Sequence, residues 1–139
     1  MILLDTSGLL AALVADQRLH RQAREALERS GPPFVLSPFV LAELDYLLAR
    51  ESGTAAELAL LAEVAAGAYD LPPFLADDVS QATTVIERYR DLEIGLADAS
   101  IVILAGRFRT ESILTLDERH FRALRSPRGK SFKILPADS

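Results

Sequence analysis

Two aspartates near the middle of the chain occupy positions that folding alone explains poorly. Asp98 lies in the first turn of a predicted helix that starts near Leu96, on the same face as Ile101 and Val102, so its side chain is expected to point toward the core. Asp117 directly follows a buried strand predicted to end at Leu116. In open parallel α/β sheets, ligands bind beyond the carboxyl ends of the strands. The two carboxylates therefore indicate a divalent cation at that edge.

Two further carboxylates are predicted to reach the same edge of the sheet. Asp5 directly follows the first apolar strand, and Thr6 or Ser7 after it is expected to cap the next helix. Glu43 lies at the border of the apolar stripe of a later helix. Asp45 is two residues away and further from the centre of that stripe, so periodicity favours Glu43 only modestly and Asp45 stays an alternative.

Each carboxylate alone also has a structural explanation, because Asp suits the first turn of a helix and often caps a helix that follows a strand. Clustered without a cation, however, the four would repel one another and some would have to hold protons. Mg²⁺ or Mn²⁺ accepts such oxygen ligands, and one or two of these ions can activate a water for attack on a phosphodiester. The chain has no cysteine, and neither His20 nor His120 belongs to a metal-binding motif.

The elements that must position these side chains alternate between short apolar strands and helices. This alternation predicts an α/β fold, a three-layer α/β/α sandwich with a short, mostly parallel central sheet and helices on both faces. The chain has 139 residues, half of them hydrophobic and a quarter charged, so we expect one domain over residues 1–139. No segment is apolar for long enough to span a membrane, and no signal peptide is visible. A cytoplasmic location without membrane contact is expected.

The charge of the chain is unevenly distributed. Residues 1–118 hold nine basic and nineteen acidic side chains, so this part carries a net charge of −10. Residues 119–139 hold six basic and one acidic side chain, so this part carries +5, and the whole chain carries −5. Arg119, Arg122 and Arg125 recur every three residues in the basic part, so on a helix they would form a stripe. Such a basic segment on an acidic body is a predicted phosphate-binding surface.

Four pieces of the sequence together resemble the PIN domain ribonucleases, and in particular the VapC-type toxins of toxin–antitoxin pairs. These pieces are LLDTSGLLA at the N-terminus, LAEL in the third helix, GLADASIVILA, and ILTLDERHF. Their order and spacing cover essentially the whole chain. The resemblance implies that the acidic metal-binding and catalytic residues are Asp5, Glu43, Asp98 and Asp117, with Thr6 and Thr115 as supporting polar residues.

The resemblance also implies properties that composition and spacing do not show. It implies a PIN-like fold, a homodimer, and a Mg²⁺- or Mn²⁺-dependent endoribonuclease that leaves a 5′-phosphate and a 3′-hydroxyl. It further implies a cognate VapB-type antitoxin that covers the active site with its C-terminal segment.

Three other classes of protein are weighed against this interpretation. A receiver domain also clusters aspartates around Mg²⁺ but needs a lysine after a late strand, and the only lysines are Lys130 and Lys133. A phosphatase of the haloacid dehalogenase type needs a second Asp two residues after the first, where this chain has Ser7. A catalytically silent binding module with a PIN fold is the remaining alternative, and a metal-dependent shift of the melting temperature would discriminate against it.

Overall fold

The structure is a computed structural model that describes residues 1–139. Its sheet has four strands of three residues each: β1 (Ile2–Leu4), β2 (Phe34–Leu36), β3 (Ser112–Leu114) and β4 (Lys133–Leu135). The strand order is β2-β1-β3-β4, and every neighbouring pair is parallel. The prediction of a short, mostly parallel central sheet is confirmed, and all four strands are in fact parallel.

The central strands are apolar because helices cover the sheet. Ile2, Leu3 and Leu4 of β1 are almost completely buried, as are Ile113 and Leu114 of β3. Strands buried on both faces read as continuous apolar runs rather than as alternating patterns. The third strand ends at Leu114, two residues earlier than predicted. Residues 115–117, which follow it, leave the sheet and contribute polar side chains to the site described below.

Seven helices surround the sheet: α1 (Thr6–Leu13), α2 (His20–Ser30), α3 (Pro38–Ser52), α4 (Thr54–Ala65), α5 (Ala76–Arg88), α6 (Leu96–Phe108) and α7 (Glu118–Ala123). A short 3-10 turn, Arg90–Leu92, leads from α5 toward α6. None of the helices is long and apolar enough to cross a membrane.

The order of the strands explains why the helices form two layers. The connection from β1 to β2, through α1 and α2, steps across the sheet in one direction, and the connection from β2 to β3 steps in the other. Because crossovers between parallel strands are right-handed, the two connections lie on opposite faces. The predicted α/β/α arrangement is therefore the one that this topology produces.

The first helix packs very closely on the end of the third strand. A Cβ atom added at Gly8 would lie 2.3 Å from the backbone oxygen of Leu114. Only glycine fits at this position, since the obstacle is backbone and cannot rotate away. This contact fixes the start of α1, and with it Asp5, beside the carboxyl end of β3.

The predicted cap of the first helix is wrong. Helix α1 begins at Thr6, so Thr6 and Ser7 lie inside it and the N-cap position is Asp5. The Asp5 side chain makes no capping hydrogen bond. Its carboxylate is therefore not explained by the structural role that capping would provide.

Candidate metal centre

An open cavity of about 450 Å³ lies at the carboxyl edge of the sheet. All four predicted carboxylates line it: Asp5 after β1, Glu43 on α3, Asp98 on α6, and Asp117 after β3. The structure therefore brings together side chains that are up to 112 residues apart in sequence.

Asp5 is held in the floor of this cavity by two hydroxyl groups. Its side chain is nearly buried, and its Oδ2 atom accepts hydrogen bonds from Thr115 Oγ1 at 2.6 Å and from Ser7 Oγ at 3.0 Å. Burial raises the pKa of Asp5, and these two hydrogen bonds oppose the increase because they stabilise the carboxylate. With both bonds directed to Oδ2, the Oδ1 atom stays available to a ligand.

Thr115 connects the ends of the two central strands. Besides donating to Asp5, its Oγ1 atom accepts a hydrogen bond from the backbone N–H of Asp117 at 2.9 Å. Ser7 adds a second link, since its Oγ atom accepts from the backbone N–H of Leu116 at 3.0 Å. The sequence indicated Thr115 as a supporting residue but assigned Ser7 only to capping. Its position two residues after Asp5 was the available signal.

The cavity also perturbs the ionisation of Asp98. Its side chain is 18% exposed, and burial raises its pKa from the ordinary value of 3.8 to about 6. The negative charges of Asp5, Asp117 and Glu43 add to the increase, while His120 opposes it. Without a cation, the cluster thus makes ionisation of Asp98 more costly than it is in water. A divalent ion would relieve the same repulsion.

The structure separates Glu43 from its alternative, Asp45. Glu43 is exposed at the rim of the cavity and contributes to the electrostatic field on Asp98. Asp45 instead lies beside Glu57 on α4, and the interaction between the two carboxyl groups raises the pKa of Glu57. Only Glu43 is therefore positioned to act on an ion or a substrate in the cavity.

Two buried serines fix the helix of Glu43 against the helix of Asp98. Ser37 at the start of α3 accepts a hydrogen bond from the backbone N–H of Phe39, and its Oγ atom lies 2.6 Å from Ser100 Oγ on α6. Ser100 donates its own proton to the backbone oxygen of Ala97, so Ser37 is the donor between the two serines. This chain of hydrogen bonds runs behind the cavity and sets the distance between its two helical walls.

His120 on α7 is a member of the site that the sequence analysis missed. Its Nδ1 atom lies 2.9 Å from Asp117 Oδ2 and 3.2 Å from Asp98 Oδ2. Asp117 also caps α7, because its Oδ1 atom accepts from the backbone N–H of His120 at 3.0 Å. The spacing of three residues on one short helix was the signal for this pair, since such residues share a face.

The chemistry of the donor set fits a divalent metal ion. Three side-chain polar atoms in the chain are buried without a hydrogen-bond partner, and two of them, Thr6 Oγ1 and His120 Nδ1, belong to residues that line this cavity. Buried polar atoms are normally paired, so unpaired ones in a polar cavity indicate a missing partner. Asp98, Asp117 and His120 each offer one ligand atom, and these three atoms lie within 4.8 Å of one another. Such a spacing would allow all three to bind the same ion.

The three arginines of the predicted phosphate surface differ in their surroundings. Arg122 forms a two-pronged ion pair with Asp138 at 2.7 and 2.8 Å and contacts Glu118 at 2.9 Å. Arg125 donates to backbone oxygens at the end of α7, beyond which it lies, so no continuous helical stripe forms. Arg119 is exposed and makes no hydrogen bond or ion pair within the chain. Phosphate binding by the three stays a prediction, and the geometry favours Arg119.

Comparison with known proteins identifies the architecture that carries this site. The PIN domain family profile matches residues 2–126. The chain belongs to the PIN domain family. Ribonuclease VapC26 of Mycobacterium tuberculosis (strain ATCC 25618 / H37Rv) is 46% identical to this PIN domain over 135 residues, which are 97% of this chain and 100% of that protein. The predicted family is thereby confirmed.

Solved structures agree with this assignment. VapC20 of Mycobacterium tuberculosis, described as a toxin that cleaves the sarcin-ricin loop, matches this PIN domain with a TM-score of 0.76 at 27% identity, over 84% of this chain and 90% of that one. VapBC2 from Rickettsia felis, solved with a DNA fragment from its promoter, matches with a TM-score of 0.67 at 18% identity, over 96% and 98% of the two chains. The second likeness supports the fold alone. The predicted PIN-like α/β fold is confirmed.

Proposed function

We propose that this PIN domain, spanning residues 1–139, is a metal-dependent endoribonuclease that hydrolyses RNA phosphodiester bonds. We propose further that it acts as the toxin of a VapBC-type pair. The observation that carries the proposal is the convergence of Asp5, Glu43, Asp98 and Asp117 on one open cavity. The identity of 46% to a protein named Ribonuclease VapC26, over nearly the full length of both chains, supports the same reaction.

In this proposal Asp5, Asp98 and Asp117, with Glu43 at the rim, hold Mg²⁺ or Mn²⁺. When bound, the ion would polarise the scissile phosphate and lower the pKa of a coordinated water. Asp5 presents its Oδ1 atom because Thr115 and Ser7 occupy its Oδ2. No covalent nucleophile is required.

The net reaction is the addition of water across one phosphodiester bond. The oxygen of water bonds to phosphorus and the bond from phosphorus to the 3′ oxygen breaks. One proton of the water ends on that 3′ oxygen. The products are a 5′-phosphate and a 3′-hydroxyl. Thr6, whose buried hydroxyl is unpaired within the chain, lines the same cavity as the four carboxylates.

Binding of RNA and of a partner protein follows from the same assignment. Arg119 is exposed and unpaired within the chain, so we propose it as the basic side chain that contacts a phosphate of the RNA. Structural neighbours include a toxin–antitoxin complex from Klebsiella pneumoniae. We propose that a VapB-type antitoxin covers the cavity of this chain, and that the active form is a homodimer.

The proposal is tested by cleavage of a structured RNA pool with matched variants. Glu43→Gln should reduce the single-turnover rate by about a hundredfold, as expected when a group that acts on the transition state is lost. Asp45→Asn, two residues away on the same helix, should cleave at the wild-type rate. Equal rates for both variants and the wild type would remove Glu43 from the site. Binding of RNA without any cleavage by the wild type would favour a silent binding module.

A further inference from the structure

The ring of His120 lies beside two members of the carboxylate cluster. Its side chain is 18% exposed and lies in the cavity between Asp98 and Asp117. Both Nδ1···Oδ2 distances, 2.9 and 3.2 Å, are within the range of an ion pair, yet Nδ1 makes no hydrogen bond to either oxygen. The nitrogen is therefore close to two carboxylates but is not bonded to them.

These distances match the spacing of neighbouring ligands around one metal ion. Two ligands at right angles in an octahedral shell, with bonds of about 2.1 Å, lie about 3.0 Å apart. The contacts of His120 Nδ1 with Asp98 Oδ2 and Asp117 Oδ2 fall on either side of that value. Around an ion, the lone pairs of adjacent ligands point at the metal rather than at one another. That arrangement accounts for both the short distances and the missing hydrogen bonds.

A nitrogen ligand changes which ion such a site prefers. Mg²⁺ is a hard cation that takes oxygen ligands and retains its waters, whereas first-row transition ions accept imidazole and gain affinity from it. A cluster of carboxylates alone discriminates little on this basis. One imidazole added to the cluster favours the transition ion.

We propose that His120 binds the catalytic ion through Nδ1 and thereby makes the site selective for Mn²⁺ over Mg²⁺. This inference rests on the proposed metal-dependent reaction, and it adds to the four carboxylates a ligand that determines which metal is used. In the metal-binding state Nδ1 carries no proton, and the ring nitrogen contributes its lone pair. Asp117, which both caps α7 and faces the cavity, holds the helix that presents His120.

The test compares metal binding by three variants of the whole chain. His120→Ala removes the nitrogen, His120→Asn replaces it with a side chain that offers an amide oxygen, and His20→Ala alters a histidine that instead contacts the backbone oxygen of Ala11. Dissociation constants for Mn²⁺ and Mg²⁺ are measured by calorimetry. Pulsed EPR of the Mn²⁺ form detects the magnetic coupling to ¹⁴N that only a directly bonded nitrogen produces.

We expect the wild type and His20→Ala to prefer Mn²⁺ and to show the nitrogen coupling. His120→Ala should bind Mn²⁺ about tenfold more weakly than the wild type, which is at the lower end of the losses seen when a group that supports a metal site is removed. It should bind Mg²⁺ almost as tightly as the wild type. His120→Asn should lose the coupling and bind Mg²⁺ at least as tightly as the wild type. Equal losses for both ions, or no ¹⁴N coupling in the wild type, would overturn the proposal.

Failure of the underlying metal site would look different. Asp98→Ala should abolish binding of both ions in this cavity. If Mn²⁺ still binds Asp98→Ala with wild-type affinity, the ion lies elsewhere and the proposed function fails together with the role of His120. If Asp98→Ala loses both ions but the variants of His120 retain the wild-type preference, only the inference about His120 is wrong. Melting temperatures of all variants confirm that each is folded.

Discussion

Replacing Asp98 with asparagine should stabilise the metal-free protein at neutral pH. The substitution keeps the shape of the side chain and removes a charge that faces Asp5, Asp117 and Glu43. Because burial and these neighbours raise the pKa of Asp98 to about 6, its ionisation at neutral pH costs folding free energy. Asp98 is thus needed by the proposed reaction but destabilises the metal-free fold.

The magnitude follows from the difference between the pKa of the folded protein and the ordinary value. The increase from 3.8 to about 6 corresponds to about 3 kcal/mol, at 1.36 kcal/mol for each unit of pKa. Because the side chain is 18% exposed, solvent screens part of this, and we expect a gain of about 1–3 kcal/mol. For a chain of this length that is roughly 3–9 °C in melting temperature.

The same pKa fixes the direction of the pH dependence. Between pH 3.8 and about 6 the folded state binds more protons at Asp98 than the unfolded state does, so the wild type loses stability as the pH rises through this window. Asp98→Asn should lose less over the same window. The contribution of Asp98 is constant once the pH is well above its pKa in the folded protein.

The assay is urea denaturation in EDTA at several pH values from about 4 to 8, the range that spans both protonation states of Asp98. Asp16→Asn, on an exposed turn between α1 and α2, is the matched control and should behave like the wild type. With Mn²⁺ at about 1,000 times its dissociation constant the order should reverse, since the ion then adds about 4.1 kcal/mol to the wild type only. An Asp98→Asn protein that is less stable than the wild type in EDTA at neutral pH would refute the reasoning.

Three further predictions concern the groups that position the site. Gly8→Ala should destabilise the fold by about 2–3 kcal/mol in thermal unfolding, because the added Cβ would lie 2.3 Å from a backbone oxygen. Gly95→Ala should be tolerated, since no atom lies within 4 Å of the position of its Cβ. Equal stability of the two variants would contradict this account of the packing. Thr115→Val removes the hydrogen bond to a buried carboxylate and should cost about 2 kcal/mol in urea denaturation; an unchanged midpoint would show that the bond is dispensable. Arg119→Gln should weaken RNA binding and reduce the dependence of the affinity on salt concentration, because Arg119 is exposed and unpaired. Arg122→Gln should mainly lower the melting temperature, because Arg122 is paired with Asp138. The opposite pattern would place the phosphate contact on Arg122.

The parts of the site that lie at the ends of strands could be predicted from sequence, because strand periodicity and apolar runs are local signals. Asp5 and Asp117 directly follow β1 and the turn after β3, and parallel strands bring their carboxyl ends to one edge. Helical periodicity likewise placed Asp98 on an inward face. The resemblance to PIN domains rests on the same short segments, and for that reason the predicted fold is confirmed.

The contacts that support the site could not be predicted, because they depend on residues far apart in the chain. Thr115 reaches Asp5 over 110 residues, and Arg122 is paired with Asp138 through a turn of the C-terminus that has no periodic pattern. His120 stands in the basic segment of the sequence and belongs to no metal-binding motif, whereas its neighbours in space are carboxylates. Local charge describes the surface of a helix well but does not show which of its side chains faces a cavity.

The most direct test of the central claim is the chemistry of the RNA ends that the purified protein produces. Single-turnover cleavage is run with Mg²⁺, with Mn²⁺ and with EDTA, and the ends are identified by enzymatic labelling and mass spectrometry. Hydrolysis in the carboxylate cavity predicts 5′-phosphate and 3′-hydroxyl ends, full dependence on the metal, and loss of the products in Asp98→Asn. Cleavage that survives EDTA, persists in Asp98→Asn, or leaves 2′,3′-cyclic phosphates would contradict the account.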